Sequence, residues 1–215
     1  MGRCSFAAAF TACQGEQNCL VATVGVVVED RRLEQIGSDF YETPPEIFLP
    51  LKDEFGFTVD VCATKWTAKC PRFYTPKEDG LSVSWAGDIV WCNPPYSNVT
   101  KWVRKAWQES QNPGTVVVML LWARLDSSWC EAYVLPDLDG ASERRVHNAA
   151  ELRFPRGRVT YLLRGERQGS PMLPAMVVVF RYGHIGSPVV SSIRKARSFV
   201  PLAKRKKLPV ARILL

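Results

Sequence analysis

Asp88-Ile89-Val90-Trp91-Cys92-Asn93-Pro94-Pro95-Tyr96 joins a short apolar run to a stiff polar loop. The run from Asp88 to Cys92 is brief, β-branched and aromatic, which predicts a buried strand. Beyond the loop, Val99, Trp102, Val103, Ala106 and Trp107 recur at helical spacing, with Ser97 or Asn98 as cap, so Val99 to Ser110 reads as an amphipathic helix. The tetrapeptide Asn93 to Tyr96 therefore leaves the carboxyl end of a strand, where open α/β sheets place their ligands. Two consecutive prolines fix φ and remove two backbone donors, so the loop presents carbonyl acceptors. The Asn93 side chain adds another acceptor. Fixed acceptors of this kind suit an exocyclic amine, whose two N–H groups they can hold. Tyr96 offers an aromatic face on which a planar base can stack. The plainer alternative is a proline-rich turn with a packed tyrosine, and the placement between strand and helix favours the ligand site.

At 215 residues the chain suits one domain with modest extensions. Apolar content of 47% and charged content of 23% are ordinary for a soluble globular protein. Seven cysteines, an odd number without a Cys-x-x-Cys pair, argue against a disulfide scaffold or zinc ribbon and for a reducing, cytoplasmic setting. With two histidines, His147 and His184, no metal site is expected. No apolar run approaches the roughly 18 residues that span a bilayer, so no membrane partner is expected. Eight of the 28 Lys and Arg, and none of the 21 Asp and Glu, lie in 183–215, which leaves the first 182 residues near −1. The basic character is a tail property. Lys204 and Arg205 fall within it and are candidates for phosphate contacts.

Residues 1–36 carry no usable motif and read as an extension before a domain over 37–182. Thr43 suits an N-cap, Pro44 the first helical position and Glu46 a capping box, which predicts a helix stopped at Gly56. Pro50 should kink or end it. Its free N–H groups, with Thr43, could also receive a carboxylate. Phe57 to Ala63 reads as the first central strand, and its Asp60 either caps a turn or binds a cationic group. Lys69 to Thr75 reads as another short strand. Thr115 to Leu121 is long and apolar enough to be buried on both faces. It runs into Trp122-Ala123-Arg124-Leu125-Asp126, which should bring Arg124 and Asp126 to the same cleft; a surface ion pair is the alternative. Ser127 to Leu135 reads as a helix, 136–148 as a variable loop, and Glu151–Phe154, Val159–Leu163 and Met176–Phe180 as three late strands.

In this order the pieces resemble the phage-type DNA adenine methyltransferase (Dam) family. The resemblance spans Ser38 to Arg181. It rests on Tyr41-Glu42-Thr43-Pro44, Phe57 to Ala63, Lys69-Cys70-Pro71-Arg72-Phe73-Tyr74-Thr75, Asp79-Gly80-Leu81 with Trp85, Trp91 to Tyr96, Ala123-Arg124 with Asp126, and Arg156-Gly157-Arg158. It implies a Rossmann-like α/β methyltransferase fold: a mostly parallel sheet with a C-terminal antiparallel hairpin, over 37–182, between the extension and a basic tail at 183–215. It also implies S-adenosylmethionine as cofactor, held by Tyr41, Thr43, Pro44, Asp60, Ala63, Asp79 and Asn93. Asn93, Pro94, Pro95 and Tyr96 would hold a flipped adenine of double-stranded DNA, in a site such as GATC, with Arg124, Asp126, Arg158 and the tail on the DNA. A phage or prophage gene acting in a bacterial cell is implied too. The first strand lacks a Gly-x-Gly turn, and Trp122 stands where a proline is expected. Competing readings are the same scaffold acting on a glutamine amide or an RNA base, and a degenerate DNA-binding protein. The sequence leaves the oligomeric state open, with a monomer favoured.

Overall fold

A computed structural model describes residues 37–135, 149–168 and 173–196. The chain divides into two compact units, 1–40 and 41–215. Of the first, a 3-10 turn at Gly37–Phe40 is described; the rest of the extension, the loop 136–148 and the tail from 197 lie outside the described residues.

The second unit carries, in chain order, α1 (Pro45–Phe55), β1 (Val59–Asp60), β2 (Ile89–Cys92), α2 (Val99–Glu109), β3 (Val116–Trp122), α3 (Ser128–Tyr133), β4 (Glu151–Pro155), β5 (Leu162–Leu163), β6 (Glu166–Arg167), β7 (Ala175–Arg181) and β8 (Val189–Ile193). The main sheet has the order β1-β2-β3-β7-β4-β8, and β5 and β6 form a separate antiparallel pair. β7 runs antiparallel to both its neighbours, while β1–β2, β2–β3 and β4–β8 are parallel pairs. Five of the six strands thus point one way, and the segments that follow β1, β2, β3 and β4 leave from one end of the sheet.

Alternation along the strands builds the two cores. Val90, Cys92, Val117, Met119, Leu121, Met176, Val178 and Phe180 face one layer, with Trp85, α2 and α3. Trp91, Val118, Leu120, Val177 and Val179 face the other, with Ile47, Phe48 and Leu51 of α1. β3 lies inside the sheet and is buried from Val117 to Leu121, as its continuous apolar run requires.

Several expectations are corrected. β1 is the end strand in the sheet order, not a central one, and only Val59 and Asp60 pair as a strand. Its outer side is taken by Arg72 to Tyr74: Asp60 N–H donates to Arg72 and Tyr74 N–H to Asp60, through one bridge at Phe73 rather than a full strand. α1 begins at Pro45, with Pro44 at the cap and no side-chain cap bond, so Thr43 is not the N-cap and Glu46 closes no capping box. Glu46 instead meets Arg167 at 2.7 Å. α1 continues through Pro50 to Phe55. The Glu46 carbonyl, deprived of the Pro50 N–H, accepts from Ala196 N–H at 3.0 Å. Val159 to Leu163 contributes only Leu162–Leu163, in the separate hairpin. β8, within the stretch read as tail, pairs along β4.

Candidate active site

Asn93 follows β2 directly, and its side chain is held from across the fold. Its Nδ2 donates to the Tyr41 carbonyl at 2.7 Å, which fixes which way the amide points. Oδ1 is buried and has no partner among the described residues. A buried acceptor left unpaired is unfavourable unless a ligand completes it. The neighbouring Pro94 is buried and Pro95 half-buried.

Tyr96 is half-buried and belongs to neither apolar core. Its hydroxyl shares a 2.9 Å hydrogen bond with that of Tyr161, and its ring lies on Trp122, centroids 3.7 Å apart and planes 10° from parallel. Burial, then the Tyr161 hydroxyl, pushes the Tyr96 hydroxyl well above its usual range, so it stays protonated at neutral pH. Tyr161 in turn stacks on Tyr41 at 5.4 Å. Tyr41, Asn93, Tyr96, Tyr161 and Trp122 are therefore linked by contacts across four separate segments. Tyr161 and the role of the Tyr41 carbonyl were missed from the sequence; nothing in local periodicity signals them.

Residues 41–46 are clipped to the β5–β6 hairpin. Glu42 and Leu162 exchange both backbone bonds, Gly165 N–H donates to Glu42 Oε1, and Arg167 pairs with Glu46. Thr43 is consequently buried, 1% exposed, with its hydroxyl unpartnered among the described residues. Pro44 is buried beside it in sequence.

Asp60 is 2% exposed. Its Oδ1 accepts from Cys62 N–H at 3.2 Å and its Oδ2 from Lys69 N–H at 3.0 Å, so the carboxylate ties both ends of the loop that carries Ala63. This is the turn-capping role of the two the sequence allowed. Burial raises its pKa to about 6 despite these bonds. The ionised form is thus the less favourable one in the folded state. The favourable contribution is full below the unfolded value near 3.8 and is lost as pH rises through about 6. About 3 kcal/mol is expected to disappear over that window. Urea unfolding from pH 4 to 7 should show this slope in the native chain and not in Asp60→Asn; a slope that survives the substitution would place the titration elsewhere.

Asp79 is exposed, in a left-handed conformation (φ 52), with Oδ1 accepting from Leu81 N–H. Gly80 brings it against the end of β1: a Cβ there would lie 2.0 Å from the Val61 carbonyl oxygen. Tyr96, Ser97, Lys101, Arg124, Ser127 and Trp129 help line an open cleft of about 560 Å³. Arg124 faces it, whereas Asp126 does not line it, and no ion pair joins the two. Asp126 lies inside the turn closed by Ser127 N–H donating to the Arg124 carbonyl and is exposed, so it is not on the cleft wall that the two ends of that turn line. Arg158 is exposed after β4, its carbonyl accepting from Lys195. Lys204 and Arg205 lie outside the described residues.

The sequence pattern of the DNA N-6-adenine-methyltransferase (Dam) family matches residues 31–194. Two relatives bear the name DNA N-6-adenine-methyltransferase. The protein of Haemophilus phage HP1 (strain HP1c1) is 30% identical over 162 residues, covering 71% of this chain and 87% of its own length. That of Escherichia phage T1 is 25% identical over 189 residues, covering 81% and 76%.

Proposed function

The chain belongs to the DNA N-6-adenine-methyltransferase (Dam) family, and on that premise we propose that it transfers the methyl group of S-adenosylmethionine to the N6 amine of an adenine flipped out of double-stranded DNA. The observation that carries this reading is the Asn93 side chain, oriented by Tyr41, with a buried acceptor that nothing among the described residues satisfies. The layered sheet, with five strands in one direction and β7 reversed, supports a Rossmann-like methyltransferase fold. GATC is the first recognition site to test, and a bacterial cytoplasm, with phage-borne relatives, the setting.

The residues suit the cofactor. Thr43 offers a buried hydroxyl, unpaired among the described residues, for its polar end, beside Tyr41 and Pro44. Ala63 stands on the loop that Asp60 closes, and the free oxygen of Asp79 suits an exocyclic amine. S-adenosylmethionine supplies an electrophilic methyl group on a sulfonium centre. The protein's part is to make a poor nucleophile attack, because the adenine amine is conjugated with its ring. Asn93 Oδ1 and the Pro94 carbonyl accept from the amine and favour the more tetrahedral nitrogen of the transition state. Pro95 stiffens that loop. Holding the nitrogen in a fixed position and orientation would supply the other large effect. No strong base is needed, since the proton on the methylated amine is acidic enough to pass to water. Arg124 and Arg158 serve DNA phosphates, with Lys204 and Arg205 of the basic tail as further contacts.

Sequencing that reports modified bases, on DNA from cells expressing the chain, tests the reading: N6-methyladenine at a fixed motif supports it, and unmodified DNA overturns it. Tyr96 has its own test. Tyr96→Phe keeps the plate and should retain transfer within a few-fold, while Tyr96→Ala loses about 10- to 100-fold. Tyr96→Phe also strands the buried Tyr161 hydroxyl and should lower stability by about 1–3 kcal/mol, read as a lower Tm.

A further inference from the structure

Resting on that reading of the site, we infer that Trp122 stands in for the target base: its indole occupies the face of Tyr96 on which the flipped adenine stacks, and it leaves when the adenine arrives. The pose is unlike the other aromatic contacts of this chain. The pairs Tyr41–Tyr161, Phe48–Phe57, Phe55–Phe57 and Trp85–Trp102 stack with centroids 5.4 to 6.4 Å apart, within the offset range that aromatic side chains prefer. Tyr96 and Trp122 lie face to face at 3.7 Å and 10°, as a base lies on an aromatic plate. The indole Nε1–H is buried there with no acceptor among the described residues. A centred sandwich and an unpaired buried donor are both unfavourable, so the indole is held there by its surroundings rather than by its own bonds.

The two rings are anchored unequally. Tyr96 is tied through its hydroxyl to Tyr161 and stays when the contact opens. Trp122 is the last residue of β3, opposite the small Ala175. The chain turns immediately after it: Arg124 N–H donates to the Trp122 carbonyl at 2.8 Å, and Ala123 N–H to Pro174. Its backbone is thus fixed, while its indole packs at the edge of the α1-side core without a hydrogen bond to any described residue, so a change of rotamer moves the ring without breaking a hydrogen bond among the described residues. Tyr96 and Arg124 both line the open cleft beside this stack, so the adenine has a route to the vacated face. Trp122 keeps Tyr96 covered until a base competes for it, which makes it a specificity-determining residue: only a planar group that stacks better than indole, and also satisfies Asn93, displaces it.

The test uses a short duplex containing the adenine identified by modified-base sequencing, added to the full chain with S-adenosylhomocysteine so that binding is read without transfer. Trp122→Ala removes the competitor and should bind this duplex three- to tenfold more tightly, the fold-change one aromatic pair corresponds to. Trp122→Phe keeps a ring over Tyr96 and should bind about as the native chain does. Duplex binding should alter the tryptophan emission of the native chain by a component absent from Trp122→Phe. Unchanged or weaker duplex binding by Trp122→Ala, or identical emission changes in native chain and Trp122→Phe, would overturn the inference. Methyl transfer by the native chain is the separate control: its absence counts against the functional reading, whereas transfer without the Trp122 effects counts against this inference alone.

Discussion

Asn93→Ala is expected to lower single-turnover methyl transfer by about 10²- to 10³-fold, the loss typical of removing one preorganised polar group from a reacting centre, while S-adenosylmethionine binds almost as before. The separation follows from the two ends of the amide. Nδ2 is spent on the Tyr41 carbonyl and sets the orientation. Oδ1 is buried without a partner among the described residues, and in the proposed reaction it accepts from the amine of the acceptor base. Alanine removes both, but it leaves Thr43, Ala63 and Asp79 in place. Tyr41 keeps its stack on Tyr161, so the wall around the site should survive. Calorimetric titration with the cofactor and a rapid-quench transfer assay check the two halves independently. Native transfer rates in Asn93→Ala would remove Asn93 from the mechanism. Loss of cofactor affinity with no separate loss of transfer would make it a cofactor residue instead.

What the sequence reveals about this site depends on how far each contact reaches along the chain. Asn93 to Tyr96 is legible because its chemistry is local: prolines stiffen their own backbone, and strand and helix periodicities flank them. β3 and α2 are legible for the same reason. Thr43 misleads because its cap signal is also local, whereas its burial is imposed by the β5–β6 hairpin more than a hundred residues later, through Glu42, Glu46, Gly165 and Arg167. β1 misleads because its apolar run looks central, yet Asp60 turns the chain into a loop after two paired residues. Trp122 is visible as an odd residue, but its ring partner is set by the pairing of β2 with β3, which no single stretch encodes. Glu46 shows the reverse case: Pro50 predicts an unpaired carbonyl four residues earlier, and only the fold shows Ala196 supplying the donor.

The largest stability effect is expected from Gly80→Ala, which should cost about 3 kcal/mol, the upper end for a single overpacked methyl group. A Cβ at Gly80 would stand 2.0 Å from the Val61 carbonyl oxygen and 3.1 Å from Trp102 Cη2. The first contact is with backbone at the end of β1, which cannot swing aside as a side chain can. The 79–81 turn is also pinned from its other side, because Trp85 Nε1 donates to the Gly80 carbonyl at 2.9 Å and Trp85 is fully buried. The turn therefore has to move as a unit, carrying Asp79 away from the loop that Asp60 closes. Urea unfolding should report the lost stability, and calorimetry weaker binding of S-adenosylmethionine. Asp79→Asn separates the two consequences, since asparagine tolerates the left-handed conformation and keeps an oxygen for Leu81 N–H while replacing the second carboxylate oxygen by a donor: it should weaken cofactor binding and leave the unfolding midpoint nearly unchanged. Native stability in Gly80→Ala would mean that the turn does not press on β1. Native cofactor affinity in both variants would mean that Asp79 lies outside the cofactor site.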